Sequence, residues 1–292
     1  MRSFIKAFFT TILVIVILGL GLVAAYFYFF DDKDIEKLNT NGEGLQFLLL
    51  GVDSLEAKNA NNARSDTIMI VNVNPKDSSV NLISIPRDTY ATIRGYKNQK
   101  INHSFKYGGT ELTLDSVNNL LGTNIKHYIT IDYRFVESVV NNLGGITVDV
   151  PMDMKYDDPT ANPPLHIDIE EGTQTLDGNQ AVGFLRFRKG YVNADLGRVE
   201  AQQQFMGALF SKAKEPTTLL KAPLLMGSYV NYSENNMSVK ELIKLAVSMK
   251  DMSTDDIKKY TLPGYPKYKG GVSYYIMNEH DTDVMLVNAG FK

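Results

Sequence analysis

Seven arginines and 21 lysines lie beyond residue 6 of this 292-residue chain, and the arginines are clustered. Five of the seven fall in four short peptides: Arg64-Ser65-Asp66, Pro86-Arg87-Asp88, Arg186-Phe187-Arg188 and Asp195-Leu196-Gly197-Arg198. A guanidinium is a planar fork that grips phosphate oxygens through two hydrogen bonds at once, which suits it to phosphate better than a lysine ammonium. Guanidiniums that converge need an anion, and a pyrophosphate with a divalent metal meets that need. The competing reading is that each arginine pairs with a neighbouring aspartate in a surface ion pair.

The carboxylates fit the metal half of the first reading. Asp53 follows an apolar run that ends at Gly51, and Asp66 precedes the next β-rich run, so both are expected near one edge of a sheet. Magnesium takes one or two carboxylates plus waters and substrate phosphates. Asp53 could equally cap or end a strand.

Arg186 and Arg188 are read as part of an extended segment, where side chains two apart share a face. Phe184 would join them there, with Leu185 and Phe187 pointing the other way. On the helix expected over residues 195 to 214, Asp195, Arg198 and Gln202 stand at i, i+3 and i+7 and line one side.

Other chemistries find little support. His103, His127, His166 and His280 show no metal-ligand spacing, and the absence of cysteine excludes disulfides and thiolate metal sites. There is no Gly-x-Ser-x-Gly elbow and no Gly-Lys-Ser/Thr phosphate loop, and Gly42-Glu43-Gly44 lacks the third glycine of a dinucleotide fingerprint. Without Arg2 and Lys6, 28 basic residues face 33 acidic ones, a net charge of −5 that argues against a general nucleic-acid binder. Any anion site must be local.

The elements that must position these residues read as an α/β layered domain. Strands are expected at Gln46–Leu50, Thr67–Asn74, Ser79–Ile85, His127–Ile131 and Ile146–Val150, with the second and third joined as a hairpin through Pro75-Lys76-Asp77-Ser78. Helices are expected over Glu111–Leu121, stopped by Gly122, and over Phe135–Leu143, stopped by Gly144-Gly145. Residues 151 to 165 read as a surface loop. Asp177 with Gln180, and Ser238 with Glu241, have capping-box spacing, the second opening a helix through Met249. Two short β-like runs and a closing helix are expected after residue 257.

At the N-terminus, the 24 residues Ala7–Phe30 carry no charge. They would reach about 36 Å as a helix, enough to cross a hydrocarbon core of about 30 Å. Arg2 and Lys6 precede the run and Asp31, Asp32 and Asp34 follow it, which predicts a cytoplasmic N-terminus. The aromatic run Tyr26–Phe30 after Ala24 and Ala25 favours an uncleaved anchor over a secretory signal. The expected organisation is a cytoplasmic tail at 1–6, a transmembrane anchor at 7–30, a tether at 31–44 and an extracytoplasmic domain at 45–292. The lack of disulfides in an extracytoplasmic protein points to a bacterium.

Taken in order behind one anchor, these peptides resemble the LytR-CpsA-Psr family of bacterial cell-wall phosphotransferases. The stretches that carry the resemblance lie between Leu48 and Gln203. They are Leu49-Leu-Gly-Val-Asp53, Arg64-Ser-Asp-Thr-Ile68, Ile83-Ser-Ile-Pro-Arg-Asp88, Lys100-Ile-Asn102, Leu143-Gly-Gly-Ile-Thr-Val148, Leu176-Asp-Gly178 and Arg186-Phe-Arg188.

The resemblance implies a layered α/β/α domain around a mixed central sheet. It implies an enzyme that takes a glycopolymer, of teichoic acid or capsular polysaccharide type, from a polyprenyl-pyrophosphate carrier. The polymer is joined to peptidoglycan by a phosphodiester, commonly at the 6-hydroxyl of N-acetylmuramic acid, with Mg2+ as cofactor and pyrophosphatase as a side activity. Such an enzyme works outside the cell membrane of a Gram-positive bacterium.

By motif match, Asp53 and Asp66 would serve the metal, with Asp53 also a base. Arg64, Arg87, Arg186, Arg188 and Arg198 would hold the pyrophosphate, Arg64, Arg87 and Arg198 with a catalytic part. Gln202, Asp195 and Asp88 would support them. Many members carry an arginine three residues beyond the position of Arg198, where this chain has Ala201. Two alternatives compete. One is a non-catalytic membrane receptor for lipid-pyrophosphate-linked precursors. The other is a transcription regulator, which the anchor and the acidic ectodomain oppose.

Overall fold

The computed structural model describes residues 44–52, 65–74, 79–160, 164–187, 204–205, 208–209, 212, 215–219, 221–238, 241 and 256–292. The expected anchor at 7–30 lies outside them, as do Asp53, Arg64, Arg188, Asp195, Arg198, Ala201 and Gln202. No helix among the described residues is long and apolar enough to cross a membrane.

In chain order the elements are β1 (Leu45–Val52), β2 (Ser65–Asn74), β3 (Ser79–Ser84), β4 (Tyr90–Ala91), β5 (Gln99–Lys100), α1 (His103–Leu121), β6 (His127–Ile131) and α2 (Tyr133–Leu143). There follow β7 (Ile146–Val150), β8 (Met154–Asp158), β9 (Leu165–Ile169), β10 (Gly172–Leu176), α3 (Gly178–Arg186) and α4 (Ala222–Tyr232). Last come β11 (Ser233–Asn235), β12 (Ile257–Thr261), β13 (Gly264–Lys269), β14 (Val272–Met277) and α5 (Glu279–Asn288). Among the described residues the fold divides into two compact units, one formed by Asp132–Tyr232 and the other by residues 44–131 together with Ser233–Lys292.

The second unit carries a six-stranded sheet in the order β11-β6-β1-β2-β3-β12. The β1–β6 and β3–β12 pairs are parallel and the rest antiparallel, so the sheet is mixed. Leu48, Leu50, Ile68, Ile70 and Ile83 face one side and pack with Phe105, Val117 and Leu121 of α1 and Met285 and Leu286 of α5. Phe47, Leu49, Met69 and Val71, of opposite parity, are buried as well. Burial on both faces is why β1 reads as a continuous apolar run rather than an alternation. A layered α/β domain around a mixed sheet is thus present.

The β2–β3 hairpin is present as expected. The helix expected from Glu111 begins at His103 instead, and Gly108 and Gly109 kink it with non-helical angles. Gly122 ends it at φ 64°, a left-handed value that glycine adopts without a Cβ clash.

In the other unit α2 starts two residues earlier than expected, because the Asp132 side chain accepts the Phe135 N–H and caps the helix. Its buried residues Phe135, Val136, Val139, Val140 and Leu143 repeat at helical spacing. The Asp177–Gln180 capping box opens α3 with both reciprocal bonds formed. Gly178 sits where a Cβ would come 2.2 Å from the Glu137 carbonyl oxygen, and its N–H donates to Asn141 Oδ1 at 2.8 Å. The Leu-Asp-Gly peptide is therefore a helix start that allows α3 to approach α2.

Residues 151 to 165 are not simply a loop. β8 and β9 form an antiparallel hairpin, with Met154 opposite Ile169 and Tyr156 opposite Ile167. Its outward positions are polar and exposed, and that composition is what suggested a loop. After residue 257 there are three strands rather than two, closed by α5.

Candidate functional site

Among the described candidates, Asp66 and the Arg87-Asp88 turn lie toward one edge of the second unit's sheet, as do the chain neighbours of Asp53 and Arg64. β1 and β6 run parallel, and their last paired residues there are Gly51 and Ile131. At the same edge Val52, the residue before Asp53, pairs with Ser65, the residue after Arg64, across a register irregularity. Crevices at the C-terminal ends of parallel strands are where open α/β sheets bind ligands. Asp66 lies second in β2, beside that pair.

Pro86-Arg87-Asp88 leaves the sheet at this edge too. The Ile85 N–H donates to the Ile68 carbonyl at 2.9 Å, so the chain enters the turn alongside the start of β2. Thr89 closes the turn twice on the Pro86 carbonyl, from its N–H at 2.9 Å and its hydroxyl at 2.5 Å. The Asn102 N–H donates to the Arg87 carbonyl at 3.2 Å, and the Tyr275 N–H to the Asp88 carbonyl at 2.9 Å. Proline, aspartate and threonine thus fix the backbone of a turn that presents Arg87 exposed. The Asp88 carboxylate is held by Lys100 Nζ at 2.9 Å, so it acts as an anchor of this turn.

Three buried polar side chains adjoin the same edge. Ser65 and Thr67 are fully buried, and neither hydroxyl has a hydrogen-bond partner among the described residues. Asn102 is 4% exposed, with Oδ1 in the same condition. A buried polar atom left unpaired costs about 1–3 kcal/mol, so such atoms mark places where a ligand, ion or water can restore the bond. Sequence reasoning placed Ser65, Thr67 and Asn102 inside motifs without giving them a part. Nothing in composition distinguishes a buried hydroxyl from an exposed one.

In the other unit Arg186 stands at the end of a helix, not in an extended strand. It is the last residue of α3, and Phe187 is the extended cap that follows. Phe184, Leu185 and Phe187 are all buried, so the expected alternation of faces does not hold. The Arg186 guanidinium lies over the Tyr133 ring, with Cζ 4.8 Å from the centroid. Stacking engages the flat face of the guanidinium and leaves its in-plane N–H groups for an anion. Tyr133 was not legible as a partner, because it lies 53 residues away at the start of α2.

Among the described residues of the second unit the shifted group is Tyr128, toward the other end of β6. Burial, reinforced by the charges of Glu234 and Glu111, raises the Tyr128 phenol above its ordinary range. Beside it Thr110 links the Thr130 hydroxyl at 2.9 Å and Glu234 Oε2 at 3.1 Å.

The chain matches the model of the LytR_cpsA_psr family over residues 28–289. It is 32% identical over 251 residues to the polyisoprenyl-teichoic acid–peptidoglycan teichoic acid transferase TagU of Enterococcus faecalis, covering 82% of this chain and 77% of that one. It is 28% identical to TagT of Bacillus subtilis, covering 85% and 76%. Among solved structures, TagV of B. subtilis superposes with a TM-score of 0.65 at 25% identity, covering 86% of this chain and 97% of that one. A structure of TagT bound to LI-WTA gives 0.60 at 27% identity, covering 85% and 91%. With the family model matched over residues 28–289 and a relative 32% identical over 82% of the chain, the chain belongs to the LytR-CpsA-Psr family.

Proposed function

We propose that this protein transfers a glycopolymer of teichoic acid or capsular type from a polyprenyl-pyrophosphate carrier to peptidoglycan, forming a phosphodiester. The reading is carried by one observation. The strand ends that lead into Asp53, Arg64-Ser65-Asp66 and Pro86-Arg87-Asp88 meet at a single sheet edge. Relatives named as teichoic acid transferases supply the substrate class.

In this mechanism an acceptor hydroxyl on peptidoglycan attacks the polymer-side phosphorus. A new P–O bond forms, the bridging P–O bond breaks, and the polyprenyl phosphate leaves. Asp53 takes the proton of the attacking hydroxyl. Arg87 and Arg186, with Arg64, Arg188, Arg198 and Gln202, hold the pyrophosphate oxygens and neutralise the charge that grows on them, where most phosphoryl-transfer catalysis originates. Asp88 holds the Arg87 turn through Lys100, and Asp195 supports the arginines on its helix.

The donor set suits magnesium. Asp53 and Asp66 adjoin the paired residues Val52 and Ser65, and unpartnered buried hydroxyls flank Asp66. Among the described residues no three His, Asp or Glu side chains group to hold a metal, and a magnesium site completed by phosphates and waters needs only one or two carboxylates. Asp53 and Asp66 would hold the ion, which supplies further charge neutralisation at the phosphates.

The anchor at residues 7–30 has a use in this account. A single pass with the N-terminus in the cytoplasm holds the 45–292 domain at the outer surface, where the carrier presents its pyrophosphate, and so raises the effective concentration. The test is release of polyprenyl phosphate from a lipid-pyrophosphate-linked polymer by the full-length protein with Mg2+ and peptidoglycan acceptor. No release with either teichoic or capsular donors would refute the proposal.

A further inference from the structure

Residues 257–277 hold four lysines and five tyrosines and no carboxylate, within a chain of net charge −3. The β13–β14 register sorts them. Lys267 is opposite Tyr274 and Lys269 opposite Val272, so Tyr265, Lys267, Lys269 and Tyr274 share one face of the hairpin. All of residues 265–269 are exposed, Tyr265 at 51%.

That face continues into the Arg87 turn. Lys269 Nζ lies 3.8 Å from the Tyr90 ring centroid, and Tyr90 meets Tyr274 edge to face at 5.1 Å. Tyr90 pairs with Lys100 across β4–β5, and Lys100 holds Asp88. The Tyr275 N–H bond to the Asp88 carbonyl, with the bridge between Thr89 and Tyr275, fixes the hairpin to the turn. The result is one aromatic and basic strip, built from Tyr90, Tyr274, Lys269, Lys267 and Tyr265, that runs outward from the Arg87 turn, where the Lys100–Asp88 pair closes its inner end.

The exposed Tyr265, Lys267 and Lys269, beside the half-buried rings of Tyr90 and Tyr274, suit a ligand with two properties, flat C–H surfaces that stack on rings and regularly spaced anionic groups. We propose that the strip binds the repeat units of a phosphate-linked, polyanionic glycopolymer, beyond the pyrophosphate that Arg87 grips. The proposal rests on the transfer reaction above and assigns the donor's polymer chain a path over the protein. Charge complementarity selects the occupant, because the strip is basic in an otherwise acidic chain. Continuity with the Arg87 turn selects the polymer over a lipid surface, since a chain held at its pyrophosphate end passes directly onto Tyr90 and the hairpin.

The test uses the full-length protein in neutral-lipid nanodiscs, with lipid-free poly(glycerol phosphate) as probe, uncharged dextran as control and phosphatidylglycerol vesicles as the competing surface. Binding of poly(glycerol phosphate) is expected to weaken about five- to tenfold in Lys267→Ala/Lys269→Ala, to weaken in Tyr265→Ala, and to recover in Lys267→Arg/Lys269→Arg. In turnover, the alanine pair raises KM more for a donor with a long polymer than for one with a single linkage unit, with kcat held. Equal affinity of wild type and the alanine pair for the probe overturns the proposal, as does a defect confined to phosphatidylglycerol vesicles. If no donor is turned over at all, the transfer reaction fails while the binding measurement still decides the strip.

Discussion

The guanidinium of Arg186 rests over the ring of Tyr133 at 4.8 Å, joining the last residue of α3 to the first of α2. The stack fixes the orientation of a cation that has long rotatable bonds. A cation–π contact contributes about 0.5–2 kcal/mol, so Tyr133→Leu should weaken binding of a polyprenyl-pyrophosphate ligand roughly three- to thirtyfold. Tyr133→Phe keeps the ring and should stay near wild type. Calorimetric titration of both variants checks this, and equal losses would show that the hydroxyl, not the stack, matters.

Arg87 separates charge from geometry. Its backbone is fixed by the Thr89 and Asn102 bonds while the side chain is exposed, so replacing it should leave stability within about 0.5 kcal/mol. Activity should fall by about 10²–10³ in kcat/KM for Arg87→Ala, the size expected for one lost oxyanion donor. Arg87→Lys keeps the charge without the fork and should recover only part of it. Steady-state kinetics beside urea melts would reveal the opposite case, a fold defect with proportionate activity loss.

Gly178→Ala tests the helix start rather than the chemistry. A Cβ there meets the Glu137 carbonyl oxygen at 2.2 Å, a backbone atom that cannot turn aside. Overpacking of this kind costs about 1–3 kcal/mol. Asp177→Ala removes the cap and should cost about 1 kcal/mol. Urea denaturation is expected to rank Gly178→Ala below Asp177→Ala, and the reverse order would mean that α2 and α3 shift apart easily.

Burial pushes the Tyr229 phenol above its ordinary range. The folded protein therefore keeps a proton that the unfolded chain gives up near pH 10. The stability this contributes is complete below about pH 10 and declines as pH rises beyond it. Tyr229→Phe should make that decline shallower by up to about 1.4 kcal/mol per pH unit, read from urea midpoints across about pH 9 to 11. Parallel declines in the two proteins would contradict it.

Much of the frame was legible where a single physical rule decided the outcome. His127–Ile131 and Ile146–Val150 were bounded correctly because apolar β-branched runs end at turn residues, and Asp177 with Gln180 because a capping box is local chemistry. Where two rules compete, pattern failed. Arg186 and Arg188 two apart look like a strand, yet a helix ending at Arg186 followed by an extended Phe187 yields the same spacing. The β8–β9 hairpin hid behind its Pro, Asp and Asn content, and the first turns of α1 behind Gly108-Gly109. Residue types proposed the arginines and aspartates as candidates, whereas the Tyr133 stack in one unit and the unpartnered Ser65, Thr67 and Asn102 in the other depend on contacts that chain order does not encode.

The most direct test of the central claim compares wild type with Asp53→Ala, full length, supplied with a polyprenyl-pyrophosphate-linked polymer, Mg2+ and peptidoglycan. Polyprenyl phosphate release and polymer appearing in phosphodiester linkage on the glycan are followed together, with donor binding measured in parallel. Wild type is expected to turn over, and Asp53→Ala to bind the donor while releasing no lipid phosphate. Binding by both proteins with no turnover by either would contradict the account and make the protein a receptor for its lipid.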